Sequence, residues 1–449
     1  MLLAARYVLP IAAPHIVDGA VLVHGDHIVE IGELEKLKAA HPDEEIRDFG
    51  LAVLMPGFVD LHTHLEYSSM RGLVDDLPYS QWKIQLLEKE QYLDDEDWED
   101  AARLGAAEAL QSGITTIADI TETGASARAA AGSGLRAVAY REVSTMEKRQ
   151  VAGLMARATE DIAAWREYGD PSRLTIGIAP HAAYSCHPEV YRQVAEKAIA
   201  ENLPVSMHVA GSKDEYDFVK YGSSRLAVDY RDTFTGVDLG WLPTGVSPVR
   251  YIDQWGLFEV PRMLAVHCTQ VDDADMEILA EREVAVAYCP RCNAKLGMGV
   301  APLGSFLERG IEVGIGTDSP ASNNTLDMFD EMRIGLLIQR ALSGYEPHLI
   351  ARQFIKMGTL DAARALGLDH QVGSLEPGKQ ADIIAVDISH SHQIPTLYPY
   401  STLVHTANQE NVVFTMVAGQ VLYDSGRWSL LDIDRIQARA EEMRVKLRA

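Results

Sequence analysis

Five histidines and one aspartate stand at the ends of apolar, β-rich runs of this sequence: His62, His64, His181, His208, His267 and Asp318. Imidazole nitrogens and carboxylate oxygens bind catalytic zinc, and three or four of them with one open position let the metal activate a water molecule. Iron or manganese accepts the same donors. Any single histidine is more simply explained as a core residue held by a backbone carbonyl, but coincidence at five strand ends is implausible. We therefore predict a catalytic metal site.

The elements that must position these side chains are eight short β-rich runs that alternate with helical patterns. The runs cover residues 52–64, 113–120, 136–143, 174–182, 204–210, 263–271, 284–290 and 312–319. Such alternation is typical of parallel βα units, and eight of them predict a closed (β/α)₈ TIM barrel, an α/β fold. Catalytic residues of this barrel lie at the C-terminal strand ends, where all six side chains fall. One helical stretch is predicted to begin at Asp97 and to end at Gly113.

The two ends of the chain have a different pattern. Residues 1–53 and 371–449 alternate as short strands and turns, and neither part has enough strands for a stable sheet. We predict that the two parts form one small β-sandwich, with the barrel of residues 54–370 inserted between them.

Composition excludes several classes of protein and partner. The chain has 449 residues, 47% of them apolar, and a formal charge of −25, which disfavours nucleic acid polymers and anionic membrane surfaces as partners. Charged residues or glycine interrupt every apolar stretch before it could span a membrane. Four cysteines do not form a disulfide framework, so a cytoplasmic location is expected. The pair Cys289 and Cys292 is weak evidence for zinc or redox chemistry, and we predict unligated thiols.

Several motifs resemble a known group of enzymes over nearly the whole chain. They are PGFVDLHTH, the RG at 71–72 with Trp82, the HVA of the fifth run, the HC of the sixth, CPRCNAKLGMGVAP, GTDSPASNN and GSLEPGKQADIIAVD. Together they resemble the amidohydrolase superfamily. The sequence is most similar to the branch that contains 5′-methylthioadenosine/S-adenosylhomocysteine deaminases, aminodeoxyfutalosine deaminase and chlorotriazine hydrolases.

The resemblance implies roles for individual residues. One divalent ion, Zn²⁺ first with Fe²⁺ or Mn²⁺ as alternatives, would be bound by His62, His64, His208 and Asp318. His267 would hydrogen-bond the attacking water or the tetrahedral intermediate, and Asp318 would pass a proton to the leaving group. Substrate contacts implied in the same way are His181, Glu90 (Glu88 if the register slips) and Arg141. A solvated helix charge at Glu90, and an ion pair of Arg141 with Glu142 or another carboxylate, are the competing explanations.

One position departs from this branch. Hydrolysis of a purine or triazine needs an acid to protonate a ring nitrogen. The branch has a glutamate three residues after the fifth-strand histidine, but this chain has Gly211 there. Another carboxylate could replace it, the reaction could need no ring protonation, or activity could be lost. The alternative carboxylates are Glu66, Glu122, Glu142, Asp214 and Glu215.

These observations predict a metal-dependent hydrolytic deaminase of a heteroaromatic ring. The expected substrate is an adenosine-type nucleoside: S-adenosylhomocysteine, methylthioadenosine or aminodeoxyfutalosine. The alternatives are a chlorotriazine, aminotriazine or cyclic amidine hydrolase, and a catalytically silent metal-binding protein. The resemblance leaves a homodimer open. Residues 68–82 and 220–236 are candidate lids or specificity loops.

Overall fold

The computed structural model describes residues 1–233 and 243–448. Its strands, in chain order, are β1 (Leu2–Val8), β2 (Ile16–His24), β3 (His27–Glu33), β4 (Ile46–Asp48), β5 (Ala52–Pro56), β6 (Phe58–Thr63), β7 (Ile114–Thr121), β8 (Arg136–Val143), β9 (Leu174–Pro180), β10 (Val205–Val209), β11 (Met263–His267), β12 (Ala285–Tyr288), β13 (Val313–Ile315), β14 (Ile383–Asp387), β15 (Val412–Val417), β16 (Gln420–Asp424) and β17 (Arg427–Trp428). They form two sheets.

Strands β6 to β13 form the parallel barrel in sequence order. The last strand meets the first where the backbone N–H of Asp318 donates to the carbonyl of His62 at 2.7 Å. Every residue of β6 and β7 is buried, as expected for strands covered on both faces. The predicted (β/α)₈ barrel is confirmed.

The first predicted run, residues 52–64, is not one strand. It divides at Gly57 into β5, which belongs to the other sheet, and β6, the first barrel strand. A Cβ atom on Gly57 would lie 2.1 Å from Cγ2 of Thr115, so only glycine allows the chain to pass β7 this closely. Both strands are buried along their whole length, so no change in burial pattern marks the break between them.

The second sheet combines both ends of the chain, as predicted. Its hydrogen-bonded order is β17-β16-β15-β14-β5-β1-β2-β3, and β4 pairs with β1. The central contact is antiparallel between β14 and β5, where Ile384 lies opposite Met55. The strands from the two ends of the chain therefore form one continuous hydrogen-bonded sheet. The boundaries at 53/54 and 370/371 stay predictions.

A buried ion pair joins this sheet to the barrel. Arg136, the first residue of β8, donates from Nη2 to Oδ1 of Asp382 at 3.1 Å and from Nε to Oδ2 at 3.2 Å. Arg136 also donates to the carbonyl of Ser172, and Asp382 accepts from the N–H of Ala418. Barrel strand β8 is therefore fixed to the sheet at its N-terminal end.

Helices fill the connections. They are α1 (Leu34–Ala40), α2 (Tyr79–Glu90), α3 (Asp95–Gln111), α4 (Ala125–Ser133), α5 (Lys148–Trp165), α6 (Pro188–Glu201), α7 (Lys213–Tyr221), α8 (Arg225–Thr233), α9 (Pro248–Asp253), α10 (Asp273–Glu281), α11 (Pro290–Lys295), α12 (Leu303–Glu308), α13 (Pro320–Asn323), α14 (Met328–Ser343), α15 (Ala351–Met357), α16 (Leu360–Ala365), α17 (Pro399–Thr406) and α18 (Ile433–Arg448), with 3₁₀ turns at Leu65–Met70, Leu257–Glu259 and Gln409–Asn411. None of the described helices combines the length and the apolar character that crossing a membrane requires.

Helix α3 begins three residues earlier than predicted. Asp94 is its N-cap, and the side chains of Asp94 and Asp97 each accept a hydrogen bond from the other's backbone N–H, which forms a capping box. Asp97 is therefore the inner member of the cap, while Gly113 follows the end of the helix with a φ of +80°. The C-terminal helix α18 packs here through Arg439, which donates to Asp100 at 2.6 Å.

The two predicted loop regions are partly helical. Residues 68–82 include the start of α2, and residues 220–233 include α8; residues 234–236 lie outside the described part of the chain.

Candidate metal centre

The barrel brings its strand-end histidines together with Asp318. The ligand atoms of His62, His208 and His267 lie within 4.8 Å of one another, and so do those of His62, His64 and Asp318. Nε2 of His62 is 3.5 Å from Oδ1 of Asp318, and Nε2 of His267 is 3.9 Å from Oδ2. The two groups share His62 and together bring four histidines and one carboxylate to the C-terminal mouth of the barrel.

The donor set fits a metal ion. Nδ1 of His64 hydrogen-bonds the carbonyl of Ile120, and Nδ1 of His208 that of His181, each at 2.9 Å, which leaves Nε2 of both rings for a metal. His62 is fully buried, and neither of its ring nitrogens has a hydrogen-bond partner in residues 1–233 and 243–448. A buried imidazole without partners is costly unless something else binds it. These residues would therefore hold a divalent cation.

Burial keeps His64, His208 and His267 unprotonated. Burial lowers the pKa of His64 to about 3 and that of His267 to about 4, and it lowers the pKa of His208 well below its usual value. Burial alone would raise the pKa of Asp318, but the neighbouring imidazoles of His62 and His267 hold it well below the usual range. Neutral imidazoles and a carboxylate are the forms that bind metals.

Neighbouring groups hold the centre rigidly. Asp60 accepts hydrogen bonds from the N–H and the hydroxyl of Thr317, at 2.9 and 2.5 Å, and this contact joins the first and last barrel strands. His267 and Asp318 have φ angles of +76° and +62°. Such backbone strain in non-glycine residues concentrates at functional sites.

A cavity opens onto the centre, and His64, His208, His267 and Asp318 form part of its wall. His181 lines it, and its Nδ1 contacts the hydroxyl of Ser185 at 2.7 Å. The structure thus places the predicted substrate contact His181 beside the predicted metal ligands. Further lining residues include Tyr67, Tyr79, Trp82, Lys83, Glu142 and Cys292.

The other two predicted substrate contacts line a neighbouring cavity. Glu90 accepts a hydrogen bond from the hydroxyl of Tyr67 at 2.9 Å, and Tyr67 separates the two cavities. Arg141 donates from Nε to Asp161 at 2.8 Å, and its guanidinium lies over the ring of Trp165. The structure does not bring Glu90 or Arg141 into the cavity at the metal centre, and their substrate role stays a prediction.

Sequence reasoning missed a contact to the centre from Cys292. Its thiol donates to Oδ2 of Asp318 at 2.8 Å, and burial raises the pKa of this thiol well above its usual value. All four cysteines are buried, and none forms a disulfide. The CxxC spacing was the signal, because it places Cys292 on the first turn of α11 directly after strand β12.

Position 211 faces the same centre. A Cβ atom on Gly211 would lie 3.0 Å from Cδ2 of His267 and 3.1 Å from Cε of Met298. Glu215 is turned to the backbone here, because its carboxylate accepts from the N–H groups of Gly211 and Ala210. A side chain at position 211 would therefore project beside His267, and this chain lacks one.

Comparison with known proteins agrees with this geometry. A family model described as "Amidohydrolase family" matches residues 53–422, and one described as "Imidazolonepropionase-like composite domain, bacteria" matches residues 19–43. A 5-methylthioadenosine/S-adenosylhomocysteine deaminase from Moorella thermoacetica is 33% identical over 437 residues, covering 96% of each chain. A protein of the same name from Pelotomaculum thermopropionicum is also 33% identical, covering 96% of this chain and 94% of its own.

Solved structures show the same relationship. A zinc-bound adenosine deaminase from Xanthomonas campestris superposes with a TM-score of 0.87 at 30% identity, covering 100% of this chain and 98% of its own. An atrazine chlorohydrolase from Arthrobacter aurescens superposes with a TM-score of 0.83 at 22% identity, covering 98% and 99%, and shares the fold. The family model covers most of the sequence, including every barrel strand, and the chain therefore belongs to the amidohydrolase family.

Proposed function

We propose that this protein is a metal-dependent hydrolytic deaminase that releases ammonia from a heteroaromatic ring. The observation that carries the proposal is the cluster of histidines and ionised Asp318 at the base of a cavity. The substrate we propose is an adenosine-type nucleoside, S-adenosylhomocysteine, methylthioadenosine or aminodeoxyfutalosine. Deaminase names among relatives covering nearly the whole chain support this choice.

In this proposal His62, His64, His208 and Asp318 hold one divalent ion. The ion, when bound, would lower the pKa of a water molecule so that it can add to the ring carbon. Asp318 takes a proton from the water and delivers it to the departing amine. His267, whose Nε2 is 3.9 Å from Asp318, hydrogen-bonds the oxygen that adds. We propose zinc, the metal bound in the adenosine deaminase structure, with iron or manganese as alternatives.

Aromatic side chains suit a planar substrate. The rings of Tyr79 and Trp82 lie 6.2 Å apart at an interplanar angle of 30° and line the same cavity as His181. We propose that the heterocycle lies against these rings and contacts His181. We also propose a cytoplasmic location, because the four cysteines do not form a disulfide framework, and a homodimer, which rests on the family resemblance alone.

The test is ammonia release by purified, zinc-loaded protein. The panel contains S-adenosylhomocysteine, methylthioadenosine, adenosine, aminodeoxyfutalosine, guanine, cytosine and amino-s-triazines, after zinc content has been measured. Turnover of an adenosyl compound, abolished in Asp318→Asn and retained in Asp273→Asn, supports the proposal; Asp273 is exposed on α10. Turnover of the amino-s-triazines alone would show that the substrate is a triazine instead. No release with metal bound would favour a silent metal-binding protein.

A further inference from the structure

The side chain absent at position 211 leaves the cavity without its expected acid. Five carboxylates near the centre are candidates to replace it: Glu66, Glu122, Glu142, Asp214 and Glu215. Each must satisfy two physical requirements. The carboxyl group must face the cavity that opens onto the metal centre, and its oxygens must be free to contact a substrate.

Two of the candidates are already engaged by the protein. The carboxylate of Glu66 accepts from the hydroxyls of Thr121 and Thr123, each at 2.7 Å, and from the N–H of Glu122 at 2.9 Å. The carboxylate of Glu215 accepts from two backbone N–H groups at the start of α7. Neither lines the cavity at the metal centre.

Two others lie outside that cavity. Glu122 is exposed and lines the neighbouring cavity, which Tyr67 separates from the metal centre. Asp214 lies on the first turn of α7 and lines neither cavity. Of the five candidates, Glu142 alone lines the cavity with His181, His267 and Asp318.

The position of Glu142 follows from the barrel. It is the penultimate residue of β8, opposite Ala179 on β9. The next residue, Val143, accepts from the N–H of His181, whose own carbonyl accepts from Nδ1 of the metal ligand His208. Two hydrogen bonds thus connect the end of this strand to the metal centre. The carboxylate of Glu142 accepts no hydrogen bond from residues 1–233 and 243–448, so it is available to a substrate.

The surroundings of Glu142 favour its protonated form. Burial raises the pKa of its carboxyl to about 8. The charges of Glu122, Glu66 and Glu90 contribute to this rise, and the charge of Lys83, which lines the same cavity, opposes it. A carboxyl that carries its proton at neutral pH can act as an acid.

We propose that Glu142 is the acid that protonates the ring nitrogen of the substrate, in place of the side chain that Gly211 lacks. This inference rests on the proposed deaminase function. It assigns the proton donor to the third barrel strand rather than to the residues after the fifth.

The proton balance is complete. Glu142 gives its proton to the ring nitrogen as water oxygen bonds to the adjacent carbon, and Asp318 accepts the first water proton. The carbon–nitrogen bond to the exocyclic amine then breaks, and the amine leaves as ammonia with the proton from Asp318. The remaining hydroxyl proton passes to the Glu142 carboxylate as the carbonyl forms. One water proton is thus found on ammonia, and the other replaces the proton that Glu142 gave to the ring nitrogen, so Glu142 is restored.

The main experiment compares Glu142→Gln with a matched control. Glutamine keeps the shape and the hydrogen bonding but cannot donate the proton. We expect kcat on the best substrate of the panel to fall about 100- to 10,000-fold, with an unchanged melting temperature and zinc content. Glu160→Gln removes an exposed carboxylate from α5 and should leave kcat unchanged.

The pH profile gives a second readout. The wild type loses activity as pH rises through the pKa of Glu142, because the acid is then ionised. The residual activity of Glu142→Gln should not fall over this basic pH range, because glutamine does not ionise. Glu122→Gln removes an exposed charge that raises the pKa of Glu142, so the limb should move to lower pH. Infrared difference spectra of the zinc-loaded protein should show a protonated carboxyl band that Glu142→Gln lacks.

The outcomes separate this inference from the proposed function. No ammonia release by the wild type would contradict the deaminase proposal itself. An active wild type, with Glu142→Gln retaining its kcat and basic limb, would overturn the role of Glu142 alone. A raised KM with unchanged kcat would show that Glu142 only binds substrate, and this too would overturn the inference.

Discussion

The buried pair Arg136–Asp382 provides a stringent test of how the barrel is joined to the end sheet. Both side chains are 2% exposed, and the guanidinium makes two hydrogen bonds to the carboxylate. Asp382→Asn removes the negative charge and keeps the size of the side chain. The charge of Arg136 is then left buried without its partner.

The expected loss follows from this burial. Removing one member of a buried ion pair costs about 3–5 kcal/mol, because the other charge stays desolvated. With an unfolding entropy of about 2.1 cal/mol/K per residue, a chain of 449 residues has about 0.9 kcal/mol/K in total. The melting temperature should therefore fall by about 3–5 °C.

Thermal unfolding measures this shift directly. The matched control is Asp18→Asn, since Asp18 pairs with Arg6 at 2.7 Å on the surface, with side chains 65% and 45% exposed. Exposed pairs contribute about 0–1 kcal/mol, so the control should shift by about 1 °C or less. The Asp382→Asn shift should also persist at high salt, which screens only exposed charges. Equal shifts for the two variants would refute the reasoning.

Three further predictions concern the centre and the barrel. His208→Ala should lower zinc affinity by at least about 100-fold, measured by competition with a chelator, and unchanged affinity would exclude His208 as a ligand. Cys292→Val removes the thiol that donates to Asp318 and should lower the free energy of unfolding, measured in urea, by about 1–3 kcal/mol. Cys292→Ser keeps a donor and should not lower it. Equal losses for the two variants would contradict this account. Gly57→Ala should destabilise by about 3 kcal/mol, because its methyl group would lie 2.1 Å from Thr115, while Gly153→Ala on α5 has open space and should be neutral or stabilising.

The sequence was sufficient to predict the barrel and the convergence of its strand-end residues. Parallel strands of a barrel end at one mouth, so His62, His208 and Asp318 could be placed together from strand order alone. The capping aspartate of α3 and the division at Gly57 were missed for local reasons. Several acidic residues in a row compete for the cap, and no change in burial pattern marks a break between two buried strands.

Side-chain direction explains the rest of what the sequence could not supply. Glu142 and Arg141 are adjacent on β8, so they point to opposite sides of the strand, and only Glu142 enters the cavity at the centre. Glu90 lies behind Tyr67, a relation that depends on how α2 packs over the mouth. Such relations are set by tertiary packing and have no signature in spacing.

The pairing of β5 with β14 has a consequence for synthesis. Strand β5 ends at Pro56 and β14 begins at Ile383, so the ribosome must add 327 residues before the partner of β5 exists. At about 5–20 residues per second, this takes roughly 15–65 s, during which the edge of β5 that later pairs with β14 stays unpaired. Exposed edges of this kind recruit other strands. Slow elongation, or a premature stop of translation within the barrel, should therefore yield aggregates or chaperone-bound chains. Strand β14, which is made late, covers the exposed edge of β5 in the segment that is made first.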